Sequence, residues 1–250
     1  MSAVPSPQEL FDLGGTRAAI VGGTGVLGGR FARCLAAAGA EVVVLGRSVE
    51  RGNAVTENIV NSGGNAVFMP VDVSDRSTLD AAAASLSAGG GLDILVNAPG
   101  VNNTTPFAEL TDEEWHRLLD VNLTSVFRSC QIFAPQMRNR ATGASIINIS
   151  AHSHGPPLSR VLGYGVAKAG VNNITQYMAR DLAGDVILVN SIVPGFFPAS
   201  HDRAILTRER LDSILCHNHF GLVGPPPDRA GVLSWVVSTR QAAPVHWPRR

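Results

Sequence analysis

The sequence predicts an α/β protein built on a doubly wound parallel sheet, and three observations lead there. Six short apolar runs rich in β-branched residues alternate with longer amphipathic ones, the rhythm of βα units feeding strands buried on both faces. The first of these runs passes directly into a glycine-rich turn that opens a helix. The 250 residues, 45% hydrophobic and 16% charged, suit one sizeable domain, expected over 1–250 with its core at about 11–237.

Strands are expected at Ala18–Val21, Glu41–Leu45, Ala66–Val71, Ile94–Asn97, Ser145–Ile149 and Ile187–Val193. Helices are expected at Val26–Ala38, Val49–Ser62, Arg76–Ala88, Asp112–Arg138, Gly165–Ala183 and Pro227–Val237. Thr111 and Asp112 offer N-caps for the fourth helix, with Glu113 and Glu114 favourable in its first turn. Past Val237 the residues Gln241, Pro244, His246, Pro248 and two arginines supply no final strand. The sheet is therefore expected to lack or truncate its last edge strand, with 238–250 frayed.

Twenty basic residues balance twenty acidic ones, which removes the electrostatic motive for nucleic acid or anionic lipid as a partner. The N-terminus MSAVPSPQEL has no basic segment leading into an apolar run, and no stretch approaches the ~18 apolar residues of a membrane span. A cytoplasmic protein acting on small molecules is expected. Cys34, Cys130 and Cys216 show no metal-ligand spacing and read as buried, reduced thiols.

After the first strand come Gly22, Gly23, Thr24, Gly25, Val26, Leu27, Gly28 and Gly29. Such a turn lets backbone N–H groups approach a pyrophosphate, and the helix N-terminus adds partial positive charge. The fold is thus Rossmann-like, with Gly22, Thr24, Gly25, Val26 and Leu27 as dinucleotide contacts. About 20 residues on, where an acid would bind the adenosine ribose 2′-OH, stands Arg47. Its planar fork suits a 2′-phosphate, so NADP(H) is preferred and NAD(H) admissible; the plainer role for Arg47 is to cap the next helix. Asp72 either accepts from the adenine amino group or N-caps the helix that follows.

Tyr164 and Lys168 stand four apart and so project from one helix face. Interconverting a carbonyl and an alcohol needs a proton delivered or removed. A phenol does either once a neighbouring ammonium favours its ionised form.

Together these features resemble the short-chain dehydrogenase/reductase family from about Phe11 to Val237. Val21–Gly28 resembles its glycine motif, Asn97-Ala98-Pro99-Gly100 its Asn-Asn-Ala-Gly turn, and Asn122 its active-site asparagine. Tyr164 and Lys168 match its catalytic pair, and Pro194-Gly195 its Pro-Gly beside the nicotinamide. The resemblance implies that Tyr164 moves the proton, that Lys168 lowers the tyrosine pKa and holds the nicotinamide ribose, and that Asn122 supports a water-linked proton path. Asn97, Ala98, Pro194 and Gly195 join the implied cofactor contacts. It also implies subunit contacts through the helices Asp112–Arg138 and Gly165–Ala183. With no last strand, a homodimer is expected in place of the family's usual tetramer.

The family's substrate-binding serine, 13 residues before the tyrosine, is Ala151 here. Ser153 is expected to replace it, with Ser150 as the alternative, and His152 and His154 read as loop residues. Val26 stands where many members have glycine, Val21 replaces threonine and Pro99 replaces alanine. The segment Pro194–Ala199 and the later Arg203-Ala-Ile-Leu-Thr are similar to a branch with mannonate (fructuronate) oxidoreductases. That implies a sugar acid or polyol, with Asn102, Asn103 and His201 as hydroxyl partners or simple turn residues. Phe196, Phe197 and Leu158 suit an apolar carbonyl substrate instead. The expected activity is an NAD(P)H-dependent oxidoreduction between a secondary alcohol and a carbonyl. The alternative, motivated by Ala151 and the tail, is a dinucleotide-binding protein with weak or no turnover.

Overall fold

The computed structural model describes residues 6, 9, 11–140, 143–151 and 159–194. Its strands are β1 Arg17–Val21, β2 Glu41–Gly46, β3 Asn65–Pro70, β4 Ile94–Asn97, β5 Ala144–Ile149 and β6 Ile187–Ile192. They form one parallel sheet in the order β3-β2-β1-β4-β5-β6. The helices are α1 Val26–Ala37, α2 Val49–Asn61, α3 Arg76–Ala88, α4 Asp112–Leu119, α5 Ser125–Met137 and α6 Leu162–Asp181. Strand order reverses between β1 and β4, the kind of switch point beyond whose strand ends open α/β sheets bind their ligands. Val21 lies opposite both Leu45 and Asn97, and Asn97 opposite Asn148, so these strands end level and present one rim.

The twofold period of a strand divides the core. Ala19 and Val21 of β1 join Val43, Leu45, Leu95, Ile146, Phe133 and Met137 in one cluster. Ala18 and Ile20 join Val42, Val44, Val96, Ile147, Phe31 and Leu35 in another. Burying side chains of this size contributes about 1.5–3 kcal/mol each, which is why nearly continuous apolar strands suit the interior of a covered sheet. At the opposite end of the strands the buried Asp93 carboxylate accepts from the Arg17 N–H at 2.9 Å and pairs with Arg140 at 2.6 Å.

Two helices depart from expectation. Asp112–Arg138 is not one α-helix, because Asp120–Thr124 forms a π turn between α4 and α5. Its one extra residue per turn leaves the helical path continuous while rotating the following face, so apolar spacing alone did not show it. Helix α6 begins at Leu162, three residues earlier than expected, with no side-chain cap to mark its start; Tyr164 therefore lies in its first turn. Thr111 caps α4 as expected, accepting from the Glu114 N–H at 3.3 Å. The N-cap role offered to Asp72 falls instead to Asp75, which accepts from the Ser77 N–H at 2.9 Å, while Asp72 accepts from the Ser74 N–H at 3.0 Å. The expected helix Pro227–Val237, the final edge strand and the tail lie outside the described residues. No helix among the described residues is long and apolar enough to cross a membrane.

Candidate active site

The glycine turn fits a dinucleotide cradle by the space it leaves. Gly22 has φ +76°, and a Cβ there would lie 2.6 Å from the Ala98 carbonyl oxygen; only glycine takes this backbone at this approach without strain. The turn is drawn onto β4 by the Ala98 N–H, which donates to the Val21 carbonyl at 2.9 Å. A Cβ on Gly28 would run into the Gly22 carbonyl, so α1 packs directly against the turn. Gly25 is the N-cap of α1 and provides no side-chain cap. The first-turn N–H groups, which a helix cannot satisfy internally, are thus left for an anion.

Val26 opens α1 with its side chain exposed. Leu27 packs against the core. Thr24 lies across the end of β2, where a Cβ on Gly46 would be 2.5 Å from its Oγ1. Next to Gly46, Arg47 is exposed and makes no hydrogen bond or ion pair among the described residues. The helix-cap role considered for it belongs to Ser48, whose hydroxyl accepts from the Arg51 N–H at 3.3 Å.

On the other side of the switch point, Lys168 is 2% exposed although its side chain is an amine. Its Nζ donates to the Ile149 carbonyl at 2.8 Å and to the Pro99 carbonyl at 3.4 Å. It also lies 5.6 Å from the centroid of the half-buried Tyr164 ring. Burial pushes the Lys168 pKa down from 10.5 to about 8. The ammonium is still the major form at neutral pH.

Asn122 lies in the π turn and is fully buried. Its Nδ2 donates to the Leu118 and Val101 carbonyls at 2.8 Å each, and its Oδ1 accepts from the Val101 N–H at 3.1 Å. A π turn leaves helical carbonyls short of donors. Asn122 supplies one to Leu118 and at the same time ties the loop after β4 to the helix. With these bonds made, its side chain holds the loop.

Asn97 turns its side chain into the core, which leaves its backbone at the end of β4 for the cofactor contact expected of it. Its side chain is fully buried, donating to Asn148 Oδ1 at 2.9 Å and Cys130 Sγ at 3.2 Å while accepting from Ser129 Oγ at 2.7 Å. Asn148 in turn donates to Thr175 Oγ1 at 2.9 Å. A chain of polar groups thus runs beneath the site from α5 through β4 and β5 to α6. The available signal was an asparagine at the same register position in two otherwise apolar strands. The Cys130 thiol beside them is pushed up to about 12 by burial, an inert thiol as expected; Cys34 is only half-buried, and Cys216 lies outside the described residues.

Ala151 follows β5 and brings no hydroxyl. Ser150 is buried, and its Oγ donates to the Lys168 carbonyl at 3.1 Å. It is therefore not the substitute for the missing serine. Asn103 is held by Thr105 Oγ1 at 3.2 Å, and its N–H by Asn102 Oδ1 at 2.8 Å, the bonding of turn residues. Pro194 is half-buried after β6. Ser153, His152, His154, Leu158, Gly195, Phe196, Phe197 and His201 lie outside the described residues.

The family described as short chain dehydrogenase matches residues 16–210. An uncharacterized oxidoreductase, UxuB, of Bacillus subtilis is 32% identical, covering 90% of this chain and 88% of its own. A 3beta-hydroxysteroid dehydrogenase of Eggerthella lenta is 34% identical, with 91% and 88% covered. A 5-keto-D-gluconate 5-reductase of Escherichia coli is 30% identical, with 84% and 82% covered. Among solved structures, a gluconate 5-dehydrogenase of Burkholderia cenocepacia in complex with NADP and tartrate superposes with TM-score 0.88 at 29% identity, covering 94% and 92%. A Haemophilus influenza protein provisionally assigned as a D-mannonate oxidoreductase, with bound NAD, gives TM-score 0.88 at 26% identity and the same coverage.

Proposed function

The chain belongs to the short-chain dehydrogenase family, and from that premise we propose an NADP(H)-dependent enzyme that interconverts a ketone and a secondary alcohol on a sugar acid or polyol. The observation that carries this reading is the buried Lys168 ammonium 5.6 Å from the Tyr164 ring, at the switch point that also holds the glycine cradle. The bound nicotinamide supplies or accepts the hydride. Tyr164 gives the proton to the developing alkoxide, or takes it from the alcohol in the reverse direction. Lys168 favours the ionised phenol electrostatically and, with a third N–H beyond its two carbonyl bonds, holds the nicotinamide ribose. Asn122 keeps the loop bearing Pro99 in place over Lys168. Ser153 replaces the hydroxyl absent at Ala151. Gly22, Thr24, Gly25, Val26 and Leu27 hold the pyrophosphate, Asp72 the adenine, and Ala98, Pro194 and Gly195 border the nicotinamide.

Arg47 supports NADP(H), since a free guanidinium beside the cradle suits a 2′-phosphate. The Burkholderia relative binds NADP and the Haemophilus one NAD, so the preference rests on Arg47. The keto-gluconate reductase supports a sugar-acid substrate, and the hydroxysteroid dehydrogenase makes a bulky apolar ketone the competing class. A cytoplasmic homodimer joined through α4–α5 and α6 belongs to the same proposal, supported by the exposed Phe127, Val166 and Tyr177 on those helices.

The test is a panel of keto sugar acids, polyols and hydroxysteroids assayed with NADPH and NADH. Turnover with a sugar acid or polyol that Tyr164→Phe abolishes is expected. Folded protein without turnover on any of them would favour the second reading, a dinucleotide-binding protein impaired by Ala151. Arg47→Ala is expected to weaken NADPH binding by about tenfold or more, the scale of one charge-assisted contact, and NADH binding far less. Equal losses in the two titrations would refute the 2′-phosphate role.

A further inference from the structure

Alternate residues of a strand face the same way, and Asn148 and Ser150, at the end of β5, both reach α6. Asn148 Nδ2 donates to Thr175 Oγ1 at 2.9 Å, and Ser150 Oγ donates to the Lys168 carbonyl at 3.1 Å. Between them, the Ile149 carbonyl accepts from Lys168 Nζ at 2.8 Å. All of these residues are buried. Three consecutive residues, the last two of β5 and the one that follows it, thus hold the backbone of Lys168, its ammonium, and a hydroxyl seven residues farther along the same helix.

We propose that the pairs Ser150–Lys168 and Asn148–Thr175 act as a two-point clamp that sets the rotation and axial position of α6 and so aims the Lys168 ammonium beneath Tyr164. One such bond would leave the helix free to pivot about it. Two bonds on residues seven apart, about 10 Å along a helix, fix both. Thr175 is suited to this role because its single hydroxyl proton is already given to the Val171 carbonyl at 2.8 Å, leaving a lone pair for Asn148. Asn148 is itself backed by Asn97 and, through it, by Ser129 of α5. Reacting groups must be held within about 0.5 Å of productive geometry, and a side chain as long as lysine gains this only from what fixes its backbone and its tip together. Ser150, Asn148 and Thr175 are positioning residues, since none touches the reacting atoms.

The clamp rests on the proposed role of Lys168 in the reaction, and its test separates the two. Wild type, Ser150→Ala, Thr175→Val and Thr175→Ser are compared by NMR titration of lysine labelled at Cε in the intact protein, and by steady-state kinetics. Ser150→Ala and Thr175→Val are expected to move the Lys168 midpoint up toward that of an ordinary lysine. They are also expected to lower kcat by about tenfold or more, as small misplacements do, with KM changed less than about twofold. Thr175→Ser, which keeps the hydroxyl, restores both. An unchanged midpoint and kcat in folded Ser150→Ala and Thr175→Val overturns the clamp, as does a KM effect alone. If Thr175→Val does not fold, Ser150→Ala and the serine variant decide by the same criteria. If wild type turns over no carbonyl while the midpoint still moves in Ser150→Ala, the clamp stands and the catalytic reading fails.

Discussion

The protein places the Lys168 charge where it is costly to hold, and the cost is measurable. Burial holds its pKa at about 8, against 10.5 for the same group in an open chain. Below about pH 8 both folded and unfolded states carry the proton, and the buried charge costs roughly 3 kcal/mol of stability. Between about pH 8 and 10.5 the unfolded chain keeps its proton while the folded protein has lost it. The unfolded state then binds more protons, so stability rises with pH. Relative to Lys168→Met, in which nothing titrates at this position, the wild type gains about 2 kcal/mol between about pH 7 and 9.5.

Urea denaturation of both proteins across that range at fixed ionic strength, plotted as the difference, cancels the other titrating groups. Methionine leaves the Ile149 and Pro99 carbonyls without the Lys168 donor, which displaces the difference curve vertically without changing its slope. A flat or falling difference would refute the reasoning, because a lysine whose charge is not penalised by burial has no cause to favour folding as it deprotonates.

Three further outcomes follow from particular contacts. Ser153→Ala, which removes the hydroxyl proposed to stand in for the one absent at Ala151, is expected to lower kcat by about 10²- to 10³-fold, the cost of one preorganised oxyanion donor, and Ala151→Ser in that background to recover part of it; an unchanged kcat in folded Ser153→Ala refutes the Ser153 role. Gly52 of α2 faces the Phe68 ring of β3 so closely that a Cβ there collides with it. Gly52→Ala therefore lowers stability by about 1–3 kcal/mol, read from the urea midpoint, and Phe68→Leu in the same chain recovers part of the loss. Val186 has φ 58° and is mostly exposed. Val186→Gly relieves about 1–2 kcal/mol of left-handed strain against about 0.5–1 kcal/mol for the added freedom of glycine, so a modest rise in the urea midpoint is expected and a fall would contradict the strain.

The residues that chemistry makes conspicuous were the legible part of the site. A glycine turn after an apolar strand and Tyr164 four residues before Lys168 each have a plain structural use alone and gain meaning from one another, and the structure brings Lys168 against both the Tyr164 ring and the loop after β4 onto which the glycine turn packs. What was not legible depends on direction. Asn97 reads as a cofactor residue from its neighbours in sequence, but its side chain turns into the core to meet Asn148. Asn122 lies on a π turn that apolar spacing cannot distinguish from ordinary helix.

The spare serine is the instructive case, because strand parity already held the answer. Ser150 lies two residues after Asn148, so whatever face the buried asparagine takes, the serine shares. An asparagine inside an apolar strand takes the face that offers it a partner, here Thr175 of α6. Ser150 was thereby committed to α6 and to the Lys168 carbonyl, and a substitute for the hydroxyl missing at Ala151 has to come from another position.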